Sequence, residues 1–448
     1  MTSGIVAQAA SGTAAAEPRQ RARVRRVDAL PPAGLPLRWS HVRLKHVAKL
    51  RSGESITSEQ IGSSDEYPVF GGNGLRGYTA AYTHEGDFPL IGRQGALCGC
   101  VNFASGRFWA SEHAVVAAPL NGHHSTWLFY VLSSMNLGQY SQSAAQPGLS
   151  VDVISNLVVP VPPTEQQRAI ADFLDRETEK TDALVAKKQR LIELLQEERT
   201  AVISDAITKG LDPDVPMKDA GVGRLGDLPR PWTASPLMRL VDPERPIMYG
   251  IVLPGPDFPG GVPIIKGGDV SPERLVLERL NRTDPEIEAK YVRSRLAGGD
   301  IVYAIRGSIG AAAVVPDALE GANLTQDTAR VAPRTGVHVG WLMYALQASP
   351  IFAQLEAGAV GATIRGINIF SLKRADLPVP PQGEQVAIRQ YLDLQTRRMD
   401  ELVESVRGAI ERLREYRSAL ITAAVTGQID VRVGRYAQQA NDKIPNQR

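Results

Sequence analysis

The chain has 448 residues, 43% hydrophobic and 22% charged, and its 50 basic against 48 acidic side chains leave a formal net charge of +2. That length exceeds one ordinary core and predicts two or three domains. The charge balance excludes a surface coated in phosphate-binding side chains, so any basic patch must be local or completed by a partner. No window approaches the roughly eighteen consecutive apolar residues of a membrane span.

Residues 1–34 are rich in Ala and Ser and then basic, with Arg19, Arg21, Arg23, Arg25 and Arg26. They lack the apolar segment of a secretory signal and are expected to be a disordered basic tail, although a transit peptide has a similar composition. Residues 35–159 are glycine-rich with short apolar runs. Phe88 to Ile91 and His113 to Ala117 read as strands between turns. Gly71-Gly72-Asn73-Gly74 reads as a loop that needs positive φ. Cys98 and Cys100 are too few for a disulfide framework or a four-ligand zinc site. They are expected as buried, reduced thiols in a strand, which suits a cytoplasmic protein.

The character changes at residues 160–212. Pro162-Pro163 ends an extended stretch and sets up a helix, whose seam reads Ile170, Leu174, Glu177, Thr181, Leu184, Lys188, Leu191, Leu195, Glu198, Val202. Alternating spacings of three and four predict a coiled coil. After a linker, 213–231, the segment 232–377 is again glycine-rich, with strands expected at Val262 to Ile265 and Asp300 to Ala304 and a positive-φ loop at Gly267-Gly268-Asp269. Residues 378–432 return to the helical pattern after Pro380-Pro381. Their seam is Ile388, Leu392, Gln395, Met399, Leu402, Val406, Ala409, Leu413, Tyr416, Leu420, and 433–448 form a second tail.

These segments are an internal repeat. Of the 53 positions from Pro160 to Asp212, 23 are identical to those 218 residues later, from Pro378 to Asp430, without a gap. Leu35 to Trp39 likewise resembles Leu228 to Trp232 and marks where each copy starts. Between these anchors the likeness is faint: Ala117 to Pro119 echoes Val331 to Pro333, and Gly92 to Gly95 loosely echoes Ile305 to Ser308. The expected fold is α+β: two mostly antiparallel-sheet domains and a long antiparallel two-helix coiled coil, related by a pseudo-twofold repeat. Leu174, Leu184, Leu191, Leu195, Leu392, Met399, Leu402 and Leu413 are its expected packing or partner-docking positions. Each helix would be a rod of about 65 Å.

No catalytic constellation is present. The chain has no GxxxxGK[ST] loop, no Asn-Pro-Pro-Tyr-like methyltransferase motif, no metal-spaced histidines and no GxSxG elbow. Glu288-Ala289-Lys290 is a fragment of a nuclease pattern, but Glu-x-Lys is frequent on exposed helices and is read as incidental. The expectation is a chain without catalytic residues, metal or cofactor of its own.

Base-edge chemistry nominates reading residues, since Arg pairs bidentately with guanine and Asn or Gln with adenine. In the first domain these are Asn73, Arg76, Arg93, Gln94 and His113; in the second, Lys266, Arg306, Gln326 and Arg365. Each also has a bland role: Asn73 as a turn former, His113 as a structural histidine, the arginines as surface charge.

Taken together, the repeated Pro-x-Pro-Pro-x-x-x-Gln helix openings, the post-helix run Ile207 to Pro213, and Tyr67 to Tyr78, Tyr249 to Ile251 and Val262 to Lys266 resemble Type I restriction-modification specificity subunits. The resemblance covers about residues 35–432. It implies two target-recognition domains that each read half of a split double-stranded DNA target, held apart by the helix pair. It implies two modification subunits docked on the helices, carrying S-adenosylmethionine and adenine methylation, and restriction subunits carrying ATP- and Mg-dependent translocation and cleavage. A coiled-coil scaffold whose domains bind ligands other than DNA is the competing reading.

Overall fold

In a computed structural model the described residues are 36, 38–95, 97–141, 148–221, 225–357 and 366–431. Both tails, 1–34 and 433–448, and the candidate Arg365 lie outside them. The chain divides into two compact units, residues 1–183 with 413–448, and residues 184–412. No helix among the described residues is long and apolar enough to cross a membrane.

The first unit is entered by the strand Ser40–Arg43, which pairs antiparallel with Val158–Val161 just before the first long helix. Between them lies a four-stranded antiparallel sheet in the order Ala48–Ser52, Ala114–Pro119, Phe88–Gly92, Val101–Ala104. A second sheet joins Tyr67–Gly71 antiparallel to Gly74–Thr79 and parallel to Arg107–Ala110. The helix Ser125–Ser134 covers the first sheet, burying Trp127, Leu128 and Val131. Ile170, Phe173 and Leu174 of the first long helix enter the same core, as do Leu420, Ile421, Ala424 and Val425 of the second.

The second unit repeats this plan with different side chains. Thr233–Pro236 pairs with Asp376–Val379. A four-stranded antiparallel sheet runs Met248–Tyr249, Thr328–Val331, Ile301–Ala304, Ala312–Val314. Val262–Ile265 pairs parallel to Asn323–Leu324. The helix Val339–Gln347 buries Trp341, Leu342 and Ala345 in one core with Ile203, Ala206 and Ile207 of the first long helix and Ile388 and Leu392 of the second.

The long helices span Thr164–Lys209 and Gln382–Val425, so each begins immediately after its Pro-Pro pair. Their starts are locked alike. Buried Gln167 accepts from His124 N at 2.9 Å and donates to Pro162 O at 2.9 Å; Gln385 accepts from His338 N at 2.8 Å and donates to Pro380 O at 3.0 Å. Trp39 Nε1 donates to Gln166 and Trp232 Nε1 to Glu384, both at 2.8 Å. Tyr130 donates to Asp175 at 2.7 Å, and Tyr344 to Asp393 at 3.0 Å. Burial pushes both phenol groups above their ordinary range.

Within each unit the two helices pack antiparallel. In the second, Ile192 meets Val406 and Ile410, and Ile203 lies toward Ile388. The packed positions correct the expected seam. Leu184, Leu191 and Leu402 are 47, 39 and 46% exposed, whereas their C-terminal neighbours Val185, Ile192 and Val403 face the partner helix. A strict heptad repeat of 3.5 residues drifts against the 3.6 of an untwisted helix by about one residue in ten turns. The buried stripes keep the helical period, with Ile170 and Ala206 on one helix and Ile388 and Ala424 on the other all buried. Leu174 and Leu392 are buried in the cores of the two heads, Leu195 is buried, and Met399 and Leu413 are half-buried.

Three local expectations change. Cys98 and Cys100 are free thiols in a turn segment, not in a strand; Cys98 Sγ donates to Arg93 O at 3.1 Å. Of the two glycine loops, only Gly74 has positive φ, at 96°. Glu288 of the Glu-x-Lys tripeptide is buried rather than exposed. Arg295 clamps it with bonds of 2.7 and 2.6 Å and Asn323 adds one at 3.0 Å, which is a structural role.

Candidate nucleic-acid interface

In each unit three chain segments meet at one rim of the sheets, and glycine lets them approach. A Cβ on Gly72 would stand 3.2 Å from Gln94 O and 3.3 Å from His113 O, and one on Gly267 would stand 2.7 Å from Arg306 O. The neighbouring backbone, not its own φ, therefore requires glycine at 267 and leaves a side chain at 72 only a tight fit.

Backbone pairing fixes the correspondence between the two rims. Arg93 N donates to His113 O at 2.8 Å and Leu149 N to Arg93 O at 2.9 Å; Ile305 N donates to Asp327 O at 2.9 Å and Ile367 N to Ile305 O at 2.8 Å. The next residue in each copy forms an isolated antiparallel bridge, Gln94 to Gly148 and Arg306 to Gly366. Glycines with positive φ follow both, Gly95 at 91° and Gly307 at 69°. Parallel bridges Glu54 to Ser111 and Ile251 to Thr325 extend the match. The sequence echo is thus displaced by one residue: Arg306 is the counterpart of Gln94, not of Arg93. By the same register Gln326 corresponds to Glu112 and Asp327 to His113.

The second rim gathers three of the nominated residues. Lys266, Arg306 and Gln326 line one open groove of about 560 Å³ together with Gly267 and Asp327. Arg306 and Gln326 also border an adjoining groove of about 470 Å³ with Tyr249 and Asn368. Lys266 Nζ donates to Asn281 Oδ1 at 3.1 Å, which steadies it at the groove edge. Tyr249, Asn368, Asp327 and, in the first rim, Glu112 were not nominated from sequence. Their residue types are too common for a signal, apart from Tyr249 in the Tyr-Gly-Ile run.

In the first unit, Asn73 sits exposed at the tip between the Tyr67–Gly71 and Gly74–Thr79 strands, and Arg76 folds across Gly71. Arg93 is turned inward, donating to Ser52 Oγ at 3.1 Å, while Gln94 is exposed. His113 Nε2 lies 3.3 Å from Glu112 Oε1. Glu112 Oε2 and His113 Nδ1 are buried with no hydrogen-bond partner among the described residues. The second rim presents Lys and Arg donors with an amide; the first presents amides, a carboxylate and an imidazole. Both are sets that can address base edges. Among the described residues no group of three or more His, Cys, Asp or Glu could hold a metal ion.

A duplicated protein with a loop-rimmed recognition head and a long helix in each copy is the class that this fold defines. Residues 36–194 match the model of the Type I restriction modification DNA specificity domain. The Type I restriction enzyme EcoBI specificity subunit of Escherichia coli is 24% identical over 412 residues, covering 87% of this chain and 86% of that one. The EcoprrI specificity subunit of Escherichia coli is 45% identical over 137 residues, which are 30% of this chain and 34% of that relative. A chain from a solved structure of a Type I restriction-modification system matches in fold with a TM-score of 0.65 at 18% identity, covering 89% of this chain and all of that one. Over most of its length the chain is therefore similar to a Type I restriction-modification specificity subunit.

Proposed function

We propose that the chain is the DNA-reading subunit of a Type I restriction-modification complex and carries no chemistry itself. Each rim reads one half of a bipartite target, and the long helices set the gap between the halves. Two methyltransferase subunits dock on the helices with S-adenosylmethionine, restriction subunits add ATP- and Mg-dependent cleavage, and the complex works in the cytoplasm. The observation that carries this reading is the convergence of Lys266, Arg306 and Gln326 on one open groove, at a rim whose backbone plan recurs in the other unit. The near-neutral charge of +2 fits a subunit that shares phosphate contacts with partners.

Selection from random duplexes, using the chain assembled with its methyltransferase partner, is expected to return two short motifs with a fixed gap and salt-sensitive affinity. Enrichment of a single unsplit motif, or of none, would refute the proposal. Four residues, about one turn, inserted in both helices should lengthen the gap and leave both motifs unchanged.

A further inference from the structure

Gln94 and Arg306 occupy the same place in the two rims by concordant features: the preceding residue's paired hydrogen bonds, the antiparallel bridge to a glycine that those bonds flank, and the positive-φ glycine that follows. Both are exposed, and neither side chain forms a hydrogen bond or ion pair among the described residues. Each is thus an exposed polar head on a fixed backbone position, with no polar partner among the described residues. Their chemistries differ in a specific way. A glutamine amide offers a donor and an acceptor, the complement of adenine N7 and N6, whereas a guanidinium offers two donors, the complement of guanine O6 and N7.

We infer that Gln94 and Arg306 are one and the same reading position in the two heads, selecting adenine in the first half-site and guanine in the second. This rests on the DNA-reading function proposed above. Because the two frames match, each residue is one that the equivalent frame already carries, so exchanging them preserves the backbone on which they stand. Arg93, the more obvious partner for Arg306 by sequence, is committed to Ser52 and is not part of this position.

The test is target selection from random duplexes with the methyltransferase-bound complex, comparing wild type, Gln94→Arg and Arg306→Gln. In Arg306→Gln, one base pair of the second motif should change from guanine to adenine preference, with discrimination of roughly tenfold to hundredfold and the first motif untouched. Gln94→Arg should make the converse change in the first motif only. Uniformly weaker binding with unchanged motifs would mark a phosphate contact and overturn the inference, as would a change in the other motif or in both. Should one variant fail to assemble, the other head decides. A wild-type complex without a split motif would instead refute the functional reading, so the two failures are distinguishable.

Discussion

Arg199 Nη1 stands 2.8 Å from Asp400 Oδ1, and the residues 218 positions away form the reciprocal pair, Arg417 Nε lying 3.0 Å from Asp182 Oδ1. Each pair ties the two long helices within one unit. Both are substantially solvent-exposed, so screening and side-chain entropy limit their worth. A double-mutant cycle of Arg199→Ala with Asp400→Ala, followed by thermal unfolding, should give a coupling below about 1 kcal/mol. A much larger value would mean that the pair is shielded in solution.

The shifted seam makes a sharper stability prediction. Ile192→Ala removes a side chain packed against Val406 and Ile410 and should cost about 2–4 kcal/mol. Leu191→Ala, one residue earlier and 39% exposed, should cost under about 1 kcal/mol. Denaturant melts of the two variants compare them directly, and equal losses would restore the heptad reading.

Gln385 is buried and serves a backbone donor and a backbone acceptor at the start of the second long helix. In Gln385→Leu both groups, His338 N and Pro380 O, lose their partner, at a cost of about 1–3 kcal/mol. Hydrogen exchange at the His338 amide should accelerate correspondingly. Unchanged stability and exchange would show that the amide is dispensable.

The hydrogen bonds from Arg295, and secondarily from Asn323, hold the Glu288 carboxyl below its ordinary value of 4.5. The unfolded chain therefore binds the proton more readily, and this stabilisation is present above about pH 4.5 and lost as pH falls through the folded value. Stability measured from pH 7 down to pH 3 should fall less steeply in Glu288→Gln than in wild type. The variant should also be less stable at pH 7 by about 1–3 kcal/mol. Parallel curves would remove the charge from the account.

The long helices were legible in the sequence because both copies solve the same packing problem. The Pro-Pro openings, Gln167 and Gln385, and Asp175 and Asp393 recur with the same partners, so identity survives at fixed spacing. Their exact facing was not legible: polar Thr178, Thr181 and Thr396 are buried, while large leucines one residue off the stripe are exposed, so a count of apolar residues chooses the wrong phase. The heads were legible only as glycine-punctuated strands. Their shared frame is made by main-chain bonds, such as Arg93 N to His113 O and Ile305 N to Asp327 O, which leave no trace in side-chain identity. That is why Arg93 and Arg306 align by eye and not in space. Lys266, Arg306 and Gln326 were nominated from their chemistry, whereas Tyr249 and Asn368 came into view only with the groove they border.

The close approach at Gly72 and Gly267 has an evolutionary corollary. Where a carbonyl oxygen crowds the place of a missing methyl, the rim tolerates little variation at that point, yet the exposed side chains of Gln94 and Arg306 beside it form no hydrogen bond or ion pair among the described residues. On the proposed reading, mutation at these two positions would rewrite the word that each head recognises while the page it is written on stays the same. New specificities would then arise by single substitutions that leave folding and assembly intact.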